Sequence, residues 1–214
     1  FHIHMNVDYP FDLTGILFFP KIKPNMELNK NKIQLYQSQV FVTDNVEGIV
    51  PDFLMMLHGV IDSRDIPLNV SRSYLQADGN VKKISGHITK KVADKLEEML
   101  KNDRSDFEQK LKDIAVIIEY GMVTDEKFFE RALKFNMLRS AVDESASTID
   151  EYLDKIGTLQ TDKEGQRVVL YTSNAEAQHS YIQKAKAEGY DVVLLDSPIA
   201  GHWIQKIEGS QEKV

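Results

Sequence analysis

Cysteine is absent from all 214 residues. That excludes disulfides and thiolate metal sites, and it suits a reducing, cytoplasmic setting. No apolar run reaches the ~20 residues of a membrane-spanning helix, and no charged-then-apolar leader stands at the start. Base is not in excess. The 26 Lys and Arg against 33 Asp and Glu give a net charge of -7, which argues against a nucleic-acid binder. The signatures of self-contained catalysis are missing as well. There is no G-x-x-x-x-G-K-S/T, no G-x-G-x-x-G after a strand, no G-x-S-x-G and no H-E-x-x-H. A stand-alone enzyme is therefore the poorer reading.

What is present is ordinary globular material, 42% hydrophobic and 28% charged. The chain is long enough for one large domain or two small ones. It opens on strand-like Phe1-His2-Ile3-His4, which reads as a piece of a longer chain. From His2 to Val7 apolar and polar residues alternate, predicting a half-buried strand. His2 and His4 lie two apart on it. With no third ligand nearby, they read as solvent-facing rather than metal-binding. Gly15–Phe19 predicts a second strand. Lys21 to Lys32 is a lysine-rich connection carrying Met26 and Leu28 outwards. Ile33–Tyr36 and Val40–Val42 resume the strand pattern.

Further on, Ile84, Ile88, Val92, Leu96 and Leu100 recur every four residues, predicting an amphipathic helix. Ser105 with Glu108 fits a capping box for a second helix through Phe107, Leu111, Ile114 and Ile118. Thr124 suits the cap of a third, through Phe128 and Leu133. Ile149, Tyr152 and Ile156 mark a fourth, ended by Gly157. Arg167–Thr172, Ala175–Glu188 and Asp191–Asp196 then read as strand, helix and strand, a right-handed βαβ unit in a parallel sheet. Asp143, Glu144, Asp150, Glu151 and Asp154 read as a solvated acidic face. The fold class predicted is α/β (α+β), in three parts. Residues 1–81 form a larger α/β subdomain, 82–160 a helical connector and 161–214 a smaller parallel-sheet αβα subdomain.

The stretch that organises the chain is Gly59 to Gln76, GVIDSRDIPLNVSRSYLQ. The preceding Phe53-Leu54-Met55-Met56-Leu57 reads as a helical pattern opened by Pro51. Pro67 cannot continue a helix and drives Ile66 extended. Ser71 suits the cap of a short helix holding Arg72 and Gln76, four apart and so on one face. An arginine and an amide offered together suit an anionic oxygen. On pattern alone, a surface ion pair for Arg72 and a solvated Gln76 are the commoner outcomes.

The string DSRDIPLNVSRSYLQ, however, resembles the catalytic-loop signature of the heat-shock protein 90 chaperones. That signature runs aspartate-serine-x-aspartate-leucine-proline-leucine-asparagine-valine-serine-arginine-x-x-leucine-glutamine. HMNVDYPFDLTGILFFPK resembles the family's first strand pair, and VVLYTSNAEAQ with GYDVVLLDSPIAGHW fits its tail. The resemblance covers nearly the whole chain. It is to the middle segment of that chaperone, in its bacterial high-temperature protein G branch.

The resemblance implies a segment of an ATP-dependent chaperone that is not an enzyme on its own. ATP and Mg are implied to sit in a separate N-terminal ATPase domain, with no cofactor in this chain. Within the catalytic loop 62–76, Arg72 is implied to reach the γ-phosphate, with Gln76 in support and Asn69 and Ser71 shaping the loop. Client proteins are implied to meet Trp203, Ile204, Met26 and Leu28. A C-terminal domain is implied to make the full-length protein a homodimer and leave the fragment a monomer. The chain departs from the family's pattern at Gln37-Ser38-Gln39, where basic residues are usual. It departs also at Ser73, where glutamate is usual, and at Gly201-His202, where an acidic pair is usual. Two other readings stay open: an α/β enzyme using Asp196 at a strand end, and a structural spacer. For Trp203 itself the plain alternative is a core or domain-interface aromatic.

Overall fold

The alternation at the start of the chain is what folds. In the computed structural model, which describes residues 1–20, 32–66 and 79–210, β1 (His2–Val7) buries Ile3, Met5 and Val7 and leaves His2, His4 and Asn6 exposed. β2 (Leu13–Phe18) returns antiparallel, with His2 opposite Phe18 and Val7 opposite Leu13. β3 (Lys32–Gln37) and β4 (Val40–Thr43) make a hairpin. Ser38 and Gln39 turn it with positive φ, the backbone sense that suits a tight hairpin.

Residues 53–57 differ from expectation. Only Asp52–Leu54 form a helical turn, a single turn of 3-10 type, and Pro51 precedes it as its cap. Phe53, Leu54 and Leu57 are buried without a longer helix. The chain instead enters β5 (His58–Asp62), which runs antiparallel to β2 and parallel to β3. β5 is thus the central strand of a five-stranded sheet ordered β1-β2-β5-β3-β4. Gly59 makes this possible, since a Cβ there would lie 2.0 Å from the Ile16 carbonyl oxygen. Backbone approaches backbone so closely that no side chain fits.

α1 (Gly79–Asn102) buries Val81, Ile84, Ile88, Val92 and Leu96, following the predicted spacing. α2 (Arg104–Thr124) buries Phe107, Leu111, Ile114 and Ile118. Its cap is Asp103 and not Ser105. The Asp103 carboxylate accepts the Asp106 N–H at 3.0 Å. α3 (Glu126–Ala132) is likewise capped by Asp125, which accepts the Phe128 N–H at 2.9 Å. Thr124 turns back and donates to the Tyr120 carbonyl at 2.7 Å. In both cases a carboxylate one or two residues from the expected hydroxyl takes the cap, where its charge also suits the positive end of the helix dipole.

By packing, the chain divides into two compact units, Phe1–Phe128 and Phe129–Val214. The first holds the five-stranded sheet with α1 and α2. The second holds β6 (Met137–Ser140), β7 (Ala146–Thr148), α4 (Ile149–Ile156), β8 (Leu170–Thr172), α5 (His179–Ala187), β9 (Val192–Leu194) and α6 (Ala200–Ser210). β8 and β9 pair in parallel around α5, as the βαβ pattern predicts. The β6–β7 hairpin extends that pair antiparallel, giving the order β7-β6-β9-β8. α4 opens on a full capping box, Thr148 with Glu151, and closes at Gly157.

Candidate functional site

Arg72 and Gln76, implied to serve the γ-phosphate, and Asn69 and Ser71, implied to shape the loop, lie outside the described residues, as do Met26 and Leu28. The root from which the chain enters that segment, Asp62 to Ile66, is described. It leaves the central strand β5, so β2 and β3 flank it on either side. On the β2 side, the buried Ser63 hydroxyl donates to the Asp12 carbonyl at 2.5 Å. The Asp12 N–H donates to the Asp65 carboxylate at 2.6 Å. Arg64 Nε donates to the Asp12 carboxylate at 2.5 Å. That hydrogen bond and charge hold the Arg64 pKa above its ordinary value. The Arg64 side chain is 72% exposed, so this pair contributes little to stability.

On the β3 side, the Ser63 N–H extends the ladder to the Tyr36 carbonyl at 3.1 Å. Gln37 Nε2 donates to the Ile66 carbonyl at 3.1 Å and sits 3.4 Å from that of Arg64. Gln39 N–H donates to the Asp62 carboxylate at 2.7 Å. The root is therefore tied to both neighbouring strand ends. Sequence reading names none of Asp12, Gln37 and Ser63 as site residues. The only signal was their family context, since hydrogen bonds to backbone carbonyls leave no spacing rule behind.

The second unit carries Trp203 and Ile204 on α6. Trp203 is buried, 5% exposed, and Ile204 is half-buried. With Leu138, Leu153, Val193 and Leu195 they wall an apolar cavity of about 240 Å³. Trp203 thus lines this cavity from α6. Asp196, the strand-end acid, pairs with Arg139 Nη2 at 3.6 Å, with the Asp196 side chain 63% exposed. No group of three or more His, Asp or Glu side chains among the described residues is placed to hold a metal ion.

The acidic stretch after residue 142 is more than a solvated face. Asp143 accepts the Ser145 N–H at 3.0 Å and its hydroxyl at 2.5 Å, fixing the β6–β7 turn. Lys155 reaches from α4 to Asp143 at 3.1 Å and to the buried Asp191 at 2.7 Å. The other Asp191 oxygen accepts the Ser140 hydroxyl at 2.5 Å and the Val192 N–H at 2.8 Å. Hydrogen bonds from the Ser145 side chain and backbone, helped by Lys155 and Ser140, hold the Asp143 carboxyl well below its ordinary range. Burial pulls the Lys155 ammonium down, but the hydrogen bonds and charges of Asp191 and Asp143 outweigh it and leave its pKa raised. Burial, with the Asp191 charge, pushes the Tyr152 phenol up.

Comparison with known proteins covers the whole chain. The sequence profile of the family described as Hsp90 protein matches residues 1–214. The chaperone protein HtpG of Porphyromonas gingivalis is 59% identical over 213 residues, covering 100% of this chain. HtpG of Bacteroides thetaiotaomicron is 57% identical and that of Bacteroides fragilis 54%, over the same 213 residues. The chain spans 31% of the length of each of these relatives. Among solved structures, the middle domain of a Plasmodium falciparum heat shock protein superposes with a TM-score of 0.70 at 19% identity. It covers 98% of this chain and 82% of its own. That likeness shows the fold.

Proposed function

The chain belongs to the Hsp90 protein family, and from that premise we propose that it is the middle segment of an ATP-dependent, cytoplasmic chaperone whose ATP and Mg bind in a separate N-terminal domain. The observation that carries this reading is a family match along all of residues 1–214 that includes the string DSRDIPLNVSRSYLQ. In it, Arg72 supplies positive charge to the γ-phosphate when the two domains dock, and Gln76 supports it. Asn69 and Ser71 shape the loop. Charge spreads over the phosphoryl oxygens in the transition state, so a positioned guanidinium lowers the barrier without contributing to ground-state binding. In this reading segment 1–81 is the larger α/β subdomain carrying the catalytic loop, 82–160 a helical connector and 161–214 the smaller βαβ subdomain. Trp203, Ile204, Met26 and Leu28 meet unfolded client, and a C-terminal domain dimerises the whole. The alternative of an enzyme centred on Asp196 gains no support from an acid paired with Arg139 in solvent.

The test is ATP affinity and steady-state hydrolysis by the complete chaperone with Arg72→Ala. Turnover is expected to fall by at least about tenfold at nearly unchanged nucleotide affinity. Unchanged turnover, or a parallel loss of affinity and turnover, refutes the role of Arg72.

A further inference from the structure

Three features of the root stand together. The chain leaves a central strand, the buried Ser63 hydroxyl ties it to the β2 side at 2.5 Å, and Gln37 ties the Ile66 carbonyl to the β3 side at 3.1 Å. Ile66 is itself buried, so the residue that hands the chain on to Pro67 has its side chain in the core and its carbonyl held. Gln37 lies near the positive-φ turn at Ser38 and Gln39. That turn is fixed in its own right by the Gln39 N–H on Asp62. A donor mounted on a pinned hairpin and aimed at a loop root is a positioning device.

We propose that Gln37 is a positioning residue for ATP hydrolysis by the complete chaperone, acting through Arg72 by fixing the point from which its loop departs. The inference rests on the role proposed above for Arg72. The Gln37 amide acts on the loop's root, at the Ile66 carbonyl. Only five residues separate that root at Ile66 from Arg72. A catalytic group displaced by about 1 Å forfeits a large part of its effect.

The experiment uses the complete chaperone with Gln37→Met, which keeps length and removes both donors, and Gln37→Lys, which keeps a donor of similar reach. Each is made alone and with Arg72→Ala. Gln37→Met is expected to lower kcat by about threefold to tenfold at unchanged KM for ATP. Gln37→Lys is expected to stay within about twofold of the parent, since an ammonium also donates to a carbonyl. In the Arg72→Ala background, Gln37→Met is expected to cause no further loss, because its effect passes through the arginine. A purely structural residue would instead slow the two backgrounds alike, and that outcome overturns the inference. So does a parental kcat for Gln37→Met beside a slow Arg72→Ala, which leaves the function of Arg72 standing. A parental rate for Arg72→Ala removes both at once.

Discussion

Replacing Lys155 by Met tests the electrostatic account of the second unit. The ammonium is the cation 2.7 Å from one oxygen of Asp191, whose side chain is only 10% exposed. The other oxygen keeps the Ser140 hydroxyl and the Val192 N–H. Breaking a fully buried pair by removing one partner costs about 3–5 kcal/mol, because a desolvated charge is left behind. Here the Lys155 side chain is 36% exposed and two hydrogen bonds survive, so the expected loss is smaller, about 2–3 kcal/mol. Asp143 adds little, being half-exposed and still held by Ser145. For a unit of this size the loss corresponds to a fall in Tm of roughly 10–20 °C. The assay is built into the chain. Trp203 is its only tryptophan and is buried in the second unit, so fluorescence-detected unfolding reports that unit. Adding Asp191→Asn to Lys155→Met is expected to restore at least half of the loss, since a neutral amide is far cheaper to bury than a charge. A loss below about 0.5 kcal/mol for Lys155→Met, or no recovery in the double variant, would show that water already screens the pair.

Two further predictions concern the first unit. A Cβ at Gly121 would lie 2.7 Å from the rings of both Phe128 and Phe53, which pack with centroids 4.5 Å apart, whereas a Cβ at Gly86 meets nothing within 4 Å. Gly121→Ala should therefore destabilise by about 1–3 kcal/mol, despite the helix preference that lets Gly86→Ala stabilise by about 0.5–1 kcal/mol. Urea unfolding followed by circular dichroism checks the pair, and similar shifts for both would refute the packing argument. His87 lies edge-on to Phe11 with its Nε2 buried. Burial first, then Lys91 and Lys90, lower its pKa below 6.5 against the opposing charge of Asp94. A base depressed in the folded state takes its proton first in the unfolded chain. Its contribution is therefore complete above pH ~6.5 and declines as pH falls through that value towards the folded pKa. His87→Gln should flatten that part of the stability–pH curve, and an unchanged curve would rule His87 out as its source.

Much of the fold was legible where one side of an element alone is buried. β1 alternates because one of its faces meets the core, and α1 repeats every four residues for the same reason. The β8–α5–β9 unit shows as apolar strands around a helix. β5 was not legible because its pattern is interrupted by Gly59. There the requirement is the absence of a side chain near Ile16, which hydrophobic periodicity does not register. The β6–β7 hairpin was missed because its strands are only four and three residues long, and its turn is set by Asp143 bonding Ser145. The two misplaced caps are local competitions. Ser105 and Thr124 satisfy the hydroxyl pattern, but Asp103 and Asp125 stand where each helix starts and accept the orphan N–H groups of Asp106 and Phe128.

The site divides along a different line. A contiguous signature points to Arg72, because whatever constrains that string constrains neighbouring residues together. The root of that string is held from further off, Ile66 by Gln37, 29 positions away, and Ser63 by Asp12, 51 positions away. The demand on them is slight. Gln37 has only to donate to a carbonyl at a certain reach, which Lys or Arg also does, and Asp12 contributes its own carbonyl to Ser63, which any residue has. Such contacts depend on where the backbone runs more than on which side chain is chosen. They become visible only once β2, β5 and β3 are seen side by side. If Gln37 positions the loop, residues that tune the reaction stand on the strands flanking β5, at sequence distances where no loop motif extends. Substitutions there should alter kcat while leaving the signature, and nucleotide affinity, intact.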